Sequence, residues 1–102
     1  MSVKIEGTYI GGTRVRLTHE SGAEIVTCAP KDNGGDGSLF SPTDLIAAAT
    51  GSCILTMMAF MAERDKVPFE GASFRAEKEM SASPRRVGRM AIEIHVPAKL
   101  TD

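Results

Sequence analysis

The chain has 102 residues, 42% of them hydrophobic and 25% charged, which is the length and balance of one globular domain spanning 1–102. A net charge of -1, no Trp and one Tyr exclude a general attraction to nucleic acid or to an anionic membrane surface. The first residues show no basic segment followed by an apolar one, and two cysteines are too few for a disulfide framework. A reducing, cytoplasmic setting is therefore expected, in which a lone cysteine matters for its reactivity.

Three short strands are expected first. Residues 3–9 alternate, with Val3, Ile5 and Tyr9 on one face, and Gly11-Gly12 marks a turn. Over 14–19, Val15 and Leu17 face one way and Arg14 and Arg16 the other. Ser21-Gly22 turns the chain, and EIVTC (24–28) is rich in β-formers. The three read as an antiparallel meander.

The segment PKDNGGDG (30–37) is a loop by composition. It is not a calcium loop, because the twelfth position counted from Asp32 is Thr43 rather than Glu. It is not a nucleotide loop either, because the Gly-Lys-Ser/Thr ending is missing. A helix then starts with Ser41 as N-cap, Pro42 at the first helical position and Asp44 closing a capping box, and it runs to about Arg64.

Strands over 69–80 and 86–96 follow. The first sets Ala72, Phe74 and Ala76 against Arg75, Glu77 and Glu79. The second sets Met90, Ile92, Ile94 and Val96 against Arg89, Ala91, Glu93 and His95. Ser81-Ala82-Ser83-Pro84 reads as the turn between them, and Arg85, Arg86 and Arg89 as a solvated basic edge. The order β-β-β-α-β-β is an α+β pattern around one long central helix.

That helix holds an uncharged run, LIAAATGSCILTMMAFMA (45–62), just long enough to span a membrane. Its Ala-rich composition, its hydroxyls Thr50, Ser52 and Thr56, and the mixed-charge flank Glu63-Arg64-Asp65-Lys66 argue for a buried core helix instead. With few elements available to cover it, a second subunit or further chain is expected to supply the rest.

Cys53 lies in the middle of this run. Its two readings are an inert core thiol and a nucleophile, and from the residues alone packing is favoured, since free cysteines are commonly buried. Reactivity would need a nearby cation, because Cys53 is too far along the helix for the helix N-terminus to help. Arg14, or else Arg16, is the candidate. Around Cys53 the helix presents Ala49, Thr50, Thr56, Met57 and Phe60, a wall suited to a hydrophobic hydroperoxide. Asp44 is about half a turn around and about 13 Å along the axis from Cys53, so the two cannot touch within one helix. Cys28 reads as a small β hydrophobe, and His19 and His95 as surface residues. The methionines Met57, Met58 and Met61 read as packing, and no metal-ligand spacing is present.

The segment FSPTDLIAAATGSC (40–53), within a longer stretch from Thr8 to Met58, resembles the OsmC/Ohr family of osmotically inducible and organic-hydroperoxide-resistance proteins. The resemblance implies an intertwined α+β homodimer that wraps sheets around central helices. It implies reduction of organic hydroperoxides by a thiol reductant, with no cofactor, metal or haem. The peroxidatic cysteine matches Cys53, and the arginine that stabilises its thiolate matches Arg14, with Arg16 as the alternative. The family's acidic partner for that arginine falls at Thr43 or Asp44. The family's second, resolving cysteine sits on a later helix that this sequence does not include, so the resemblance is to a C-terminally short member. One expectation is then a one-cysteine peroxidase. The other is a non-catalytic dimeric member, or a truncated remnant, that binds a small apolar ligand.

Overall fold

The computed structural model describes residues 1–82 and 85–96. It contains β1 (Ile5–Gly11), β2 (Arg14–His19), β3 (Glu24–Cys28), a 3-10 turn at Lys31–Asn33, α1 (Pro42–Arg64), β4 (Ser73–Ala82) and β5 (Arg85–His95). This is the expected α+β order. The chain falls into two compact units, Met1–Leu45 and Ile46–Asp102.

In the first unit, β1, β2 and β3 form an antiparallel meander in that order. The β1–β2 connection is a two-residue turn. Gly12 and Thr13 both have positive φ, 62° and 59°, which matches the twist of the flanking strands. Thr13 is β-branched, so this backbone is costly for it. The register pairs Tyr9 with Val15, Val15 with Thr27 and Leu17 with Ile25, which gathers the apolar side chains on one face. Arg14 pairs with Cys28, so both side chains leave from the opposite face.

The 3-10 turn closes at Gly34 (φ 98°). Gly35 then donates its amide to the Pro30 carbonyl and packs on the Ala29 carbonyl so closely that a Cβ there would overlap it. The loop returns to the sheet through the Cys28 amide, which donates to the Phe40 carbonyl at 3.0 Å.

The start of α1 realises the capping box. The Asp44 amide donates to Ser41 Oγ at 3.1 Å, and the Ser41 amide donates to Asp44 Oδ2 at 2.9 Å. Ser41 is 1% exposed, so the cap shields donors that no water reaches.

In the second unit, α1 ends in a Schellman motif. Val67 N–H bonds to Ala62 C=O and Lys66 N–H to Glu63 C=O, with Lys66 in the left-handed region at φ 57°. Pro68 follows and cannot continue the helix. β4 and β5 pair antiparallel, with Phe74 opposite Ile94 and Ala76 opposite Ile92. Inward positions Phe74, Ala76, Lys78 and Met80 alternate with exposed Arg75, Glu77 and Glu79. A bulge at Gly88 breaks the register between Glu79 and Met80, and a Cβ at Gly88 would strike Ser81 Oγ. Gly51 has no side chain because Phe74 lies against it, and any Cβ there would enter the ring.

Six sequence boundaries move. β1 runs over Ile5–Gly11 rather than 3–9, taking in the Gly11 expected in the turn, and β5 begins at Arg85 rather than Arg86. β4 begins at Ser73 rather than Phe69, because Ala72 N–H bonds back to Phe69 C=O and Gly71 takes φ 92°, making 69–72 a turn. Ser81 and Ala82 belong to β4, not to the turn. β5 ends at His95, leaving Val96 past the strand and exposed. The turn assigned to Ser83-Pro84 and the final segment from Pro97 lie outside the described residues, as do the side chains of Arg85 and Arg86. Arg89 pairs with Glu79 at 2.9 Å on the outer face.

Candidate functional site: an exposed thiol and an anchored arginine

Cys53 lies midway along α1 in the second unit and is exposed. The helix carries apolar side chains on all sides. Its Gly51, Leu55, Met58 and Ala62 positions are covered or half-covered, whereas Ala49, Cys53, Met57 and Phe60 are exposed. Met57 and Phe60 are 62% and 66% exposed, so within one chain the apolar wall around the thiol is formed but bare. Of the two hydroxyls expected beside Cys53, Thr50 is tied back to the Ile46 carbonyl at 2.7 Å. Thr56 lines a different surface. With Ser52, Leu55, Ala59, Phe69 and Phe74 it borders a cleft of about 340 Å³ between α1 and the start of β4.

Arg14 lies in the first unit. Its Nη2 pairs with Asp36 Oδ2 at 3.2 Å. Asp36 is itself anchored: its Oδ1 accepts from the Ser38 amide at 2.9 Å and from the Ser38 hydroxyl at 2.7 Å. The Ser38 hydroxyl and amide, and after them the Arg14 charge, hold the Asp36 carboxyl down at about 2, against an ordinary 3.8. Cys28 lies under this group at 2% exposure. Its Sγ is 3.8 Å from Asp36 Oδ1, 3.6 Å from Thr13 Oγ1 and 3.9 Å from the Gly12 carbonyl. The expected small β hydrophobe therefore also fills a polar niche.

The structure thus sets Arg14 with Asp36, Ser38, Thr13 and Cys28 in one unit and Cys53 in the other. Arg16 is exposed on the same strand, and Asp44 is engaged at the helix cap. His19 and His95 are exposed, the former bonded through Nδ1 to Ser21 Oγ at 2.8 Å. Among the described residues, no group of three His, Cys, Asp or Glu side chains is placed to hold a metal ion. Sequence reading missed Asp36, having tested DNGGDG only against calcium and phosphate loops. The usable signal was Asp-Gly-Ser, an Asp whose carboxylate accepts from the backbone two residues on.

Residues 35–102 match the family model described as OsmC-like protein. The chain belongs to the OsmC family. Its fold is similar to that of a solved protein from Psychrobacter arcticus 273-4, a proposed osmotic stress induced and detoxification response protein. That match has 39% identity and a TM-score of 0.89, and covers 96% of this chain and 72% of the other. A second OsmC structure, an organic hydroperoxide resistance protein from Legionella pneumophila, is 21% identical with a TM-score of 0.65. It covers 94% of this chain and 69% of that one and shares the fold. Among curated proteins none matches. The OsmC match takes in the whole of α1, and with it Cys53, while Arg14 precedes the matched residues.

Proposed function

We propose that this OsmC-family chain is a stress-related redox protein of the cytoplasm, reducing organic hydroperoxides through the Cys53 thiolate. The observation that carries this reading is the exposed thiol set in an apolar helix face. Cys53 is open to a reactant, and Ala49, Met57 and Phe60 beside it suit the organic part of a hydroperoxide. Cys28, at 2% exposure, is closed to one. The printed descriptions of the Psychrobacter and Legionella proteins, detoxification response and organic hydroperoxide resistance, point the same way.

In the proposed reaction the Cys53 thiolate attacks one peroxide oxygen. The O–O bond breaks, the departing alkoxide takes a proton and leaves as alcohol, and sulfur is oxidised to sulfenic acid. A first molecule of an external thiol condenses with the sulfenic acid and releases water. A second molecule cleaves the mixed disulfide and restores the Cys53 thiol. Arg14, with Arg16 as the alternative, is the proposed cation that favours the thiolate. No metal or cofactor enters this scheme.

The working form is proposed to be a homodimer. α1 is, among the described residues, the one helix long and apolar enough to cross a membrane, and little of it is buried within the chain. Its buried glycine, its hydroxyls and its mixed-charge C-terminal flank suit a partner protein surface better than lipid.

Mixing the protein with one equivalent of cumene hydroperoxide tests the reading, with the Cys53 peptide followed by mass spectrometry after sulfenic acid trapping. Rapid formation of the trapped sulfenic acid adduct at Cys53, absent in Cys53→Ser and retained in Cys28→Ser, is expected. A folded protein whose Cys53 stays unoxidised would sink the proposal. A second reading, a non-catalytic member that binds a small apolar ligand, is favoured by the cleft bordered by Leu55, Ala59, Phe69 and Phe74. It predicts an unreactive Cys53 together with saturable binding of an apolar fluorophore that Phe74→Ala weakens.

A further inference from the structure

We propose that a groove along one flank of α1 binds a small amphipathic cation, an alkylammonium. Its charged head lies at Glu63 and Glu70 and its apolar chain along Leu55, Ala59 and Phe69. The site does not depend on whether Cys53 is reactive or inert, and it gives a ligand class to the cleft beside Thr56.

The groove consists of two adjoining clefts, both within the Ile46–Asp102 unit. The first, about 340 Å³, is bordered by Ser52, Leu55, Thr56 and Ala59 on the helix and by residues of the 69–74 segment across from it. The second, about 550 Å³, is bordered by Ala59 and Glu63 on the helix and by residues 67–70. Ala59, Phe69 and Glu70 border both. On α1 the contributors Ser52, Thr56, Ala59 and Glu63 recur at helical spacing, a stripe about 16 Å long. Its centre is about a quarter turn around the helix from Cys53, so the groove is a different surface from the bare face of Cys53, Met57 and Phe60.

Local bonds set the wall opposite the helix. Val67 N–H bonds to Ala62 C=O at 2.8 Å and returns the chain along the helix end. Ala72 N–H bonds to Phe69 C=O at 3.1 Å and closes the turn that holds Phe69 and Glu70 at the groove. A wall tied in this way is largely pre-formed, as small-ligand sites usually are. Leu55, Ala59, Phe69, Ala72 and Phe74 are half-buried, which leaves apolar surface for a ligand to cover.

Charge selects the ligand. Glu63 and Glu70 are, among the described residues, the only ionisable side chains that border the two clefts. Neither side chain makes a hydrogen bond or an ion pair among those residues. Arg64, the next residue on the helix, is bonded to Asp65 instead. An anion in the groove would meet two carboxylates, and a neutral chain would use neither. A cation meets both, and the Phe69 ring adds its own attraction for positive charge. Ser52 and Thr56 put hydroxyls at the far end, which confines the apolar stretch to the middle of the groove and favours a short chain.

The full chain would be titrated at neutral pH with n-octylammonium chloride, n-octanol and sodium octanoate, followed by amide-resolved NMR. Saturable shifts are expected at Thr56, Ala59, Glu70 and Ala72. Octylammonium should bind about fivefold tighter than octanol, the scale of a solvent-exposed charge pair with an aromatic neighbour, and octanoate weakest. Glu70→Gln should bring octylammonium to the level of octanol and leave octanol unchanged. Ala59→Leu, which fills the place where the clefts meet, should abolish binding of both. Cys53→Ser should bind as wild type does. Thermal unfolding would confirm that each variant folds, and Glu70→Gln, at an exposed turn position, serves if Ala59→Leu does not. Octanol binding as tightly as octylammonium, a Glu70→Gln variant that binds like wild type, or no saturable shift overturns the inference. So do shifts centred on Cys53, Met57 and Phe60, which would put the ligand on the bare helix face. A groove filled by a second copy would show no octylammonium shift in wild type and a dimer weakened by Ala59→Leu, which overturns it as well. A Cys53 that resists cumene hydroperoxide leaves this inference standing, so the two readings fail separately.

Discussion

The two cysteines occupy opposite environments. Cys28 is enclosed beneath Asp36 and Thr13, and Cys53 stands open on a helix. Brief treatment with iodoacetamide under native conditions is therefore expected to label Cys53 and spare Cys28, read by peptide mass mapping. Equal labelling would contradict the burial of Cys28. Asp36 makes a second prediction at this scale. Its folded pKa lies below the unfolded one, so the stabilisation it provides is complete above the ordinary carboxylate value of 3.8 and is lost as pH falls through about 2. A carboxyl-carbon NMR titration should show Asp36 protonating at about pH 2, well below the ordinary 3.8. Titration near the ordinary value would mean that the Ser38 bonds do not persist in solution. Sequence pattern alone could place Arg14 on the polar face of β2. It could not reveal Asp36, twenty-two residues away, because that pairing depends on how the 30–38 loop folds back.

Among the elements, β2, β3 and α1 have the limits that sequence pattern assigns. Their ends are written in local chemistry: the Gly12 and Gly22 turns, the Ser41–Asp44 box, and Pro68 after the helix. The start of β4 was not legible, because the apolar Phe69 mimics a strand residue while Gly71 bends the chain. Ser41→Ala should lower stability by about 1 kcal/mol, the usual loss for an N-cap, measured by denaturant unfolding. An unchanged midpoint would mean that water replaces the cap. Gly51→Ala sets two effects against each other. Helix propensity favours Ala by about 1 kcal/mol, and overpacking against Phe74 costs roughly 1–3 kcal/mol. Net destabilisation is expected, relieved when Phe74→Leu is added, so that the pair departs from additivity. Additive effects would show that the Phe74 ring moves aside freely.

Across the whole molecule, the α+β order was legible from strand alternation and the capping box, and the family from the FSPTDLIAAATGSC segment. Left open was the surface that covers α1, since a helix apolar on every side encodes no direction for its partner. If a second copy provides that cover, Phe60→Asp should shift the protein from dimer to monomer in sedimentation velocity at micromolar concentration. An undisturbed sedimentation coefficient would place the interface elsewhere.

Cys53 shares its side of the helix with Met57 and Phe60, so whatever shields those two side chains also sets the thiol's surroundings. Reactivity and solubility are consequently properties of the same patch. A variant made more tractable by polar substitutions on this face would carry a thiol in a wetter, more polar medium. Its kinetics would describe a different nucleophile, so it could not stand in as the monomeric control for the native protein.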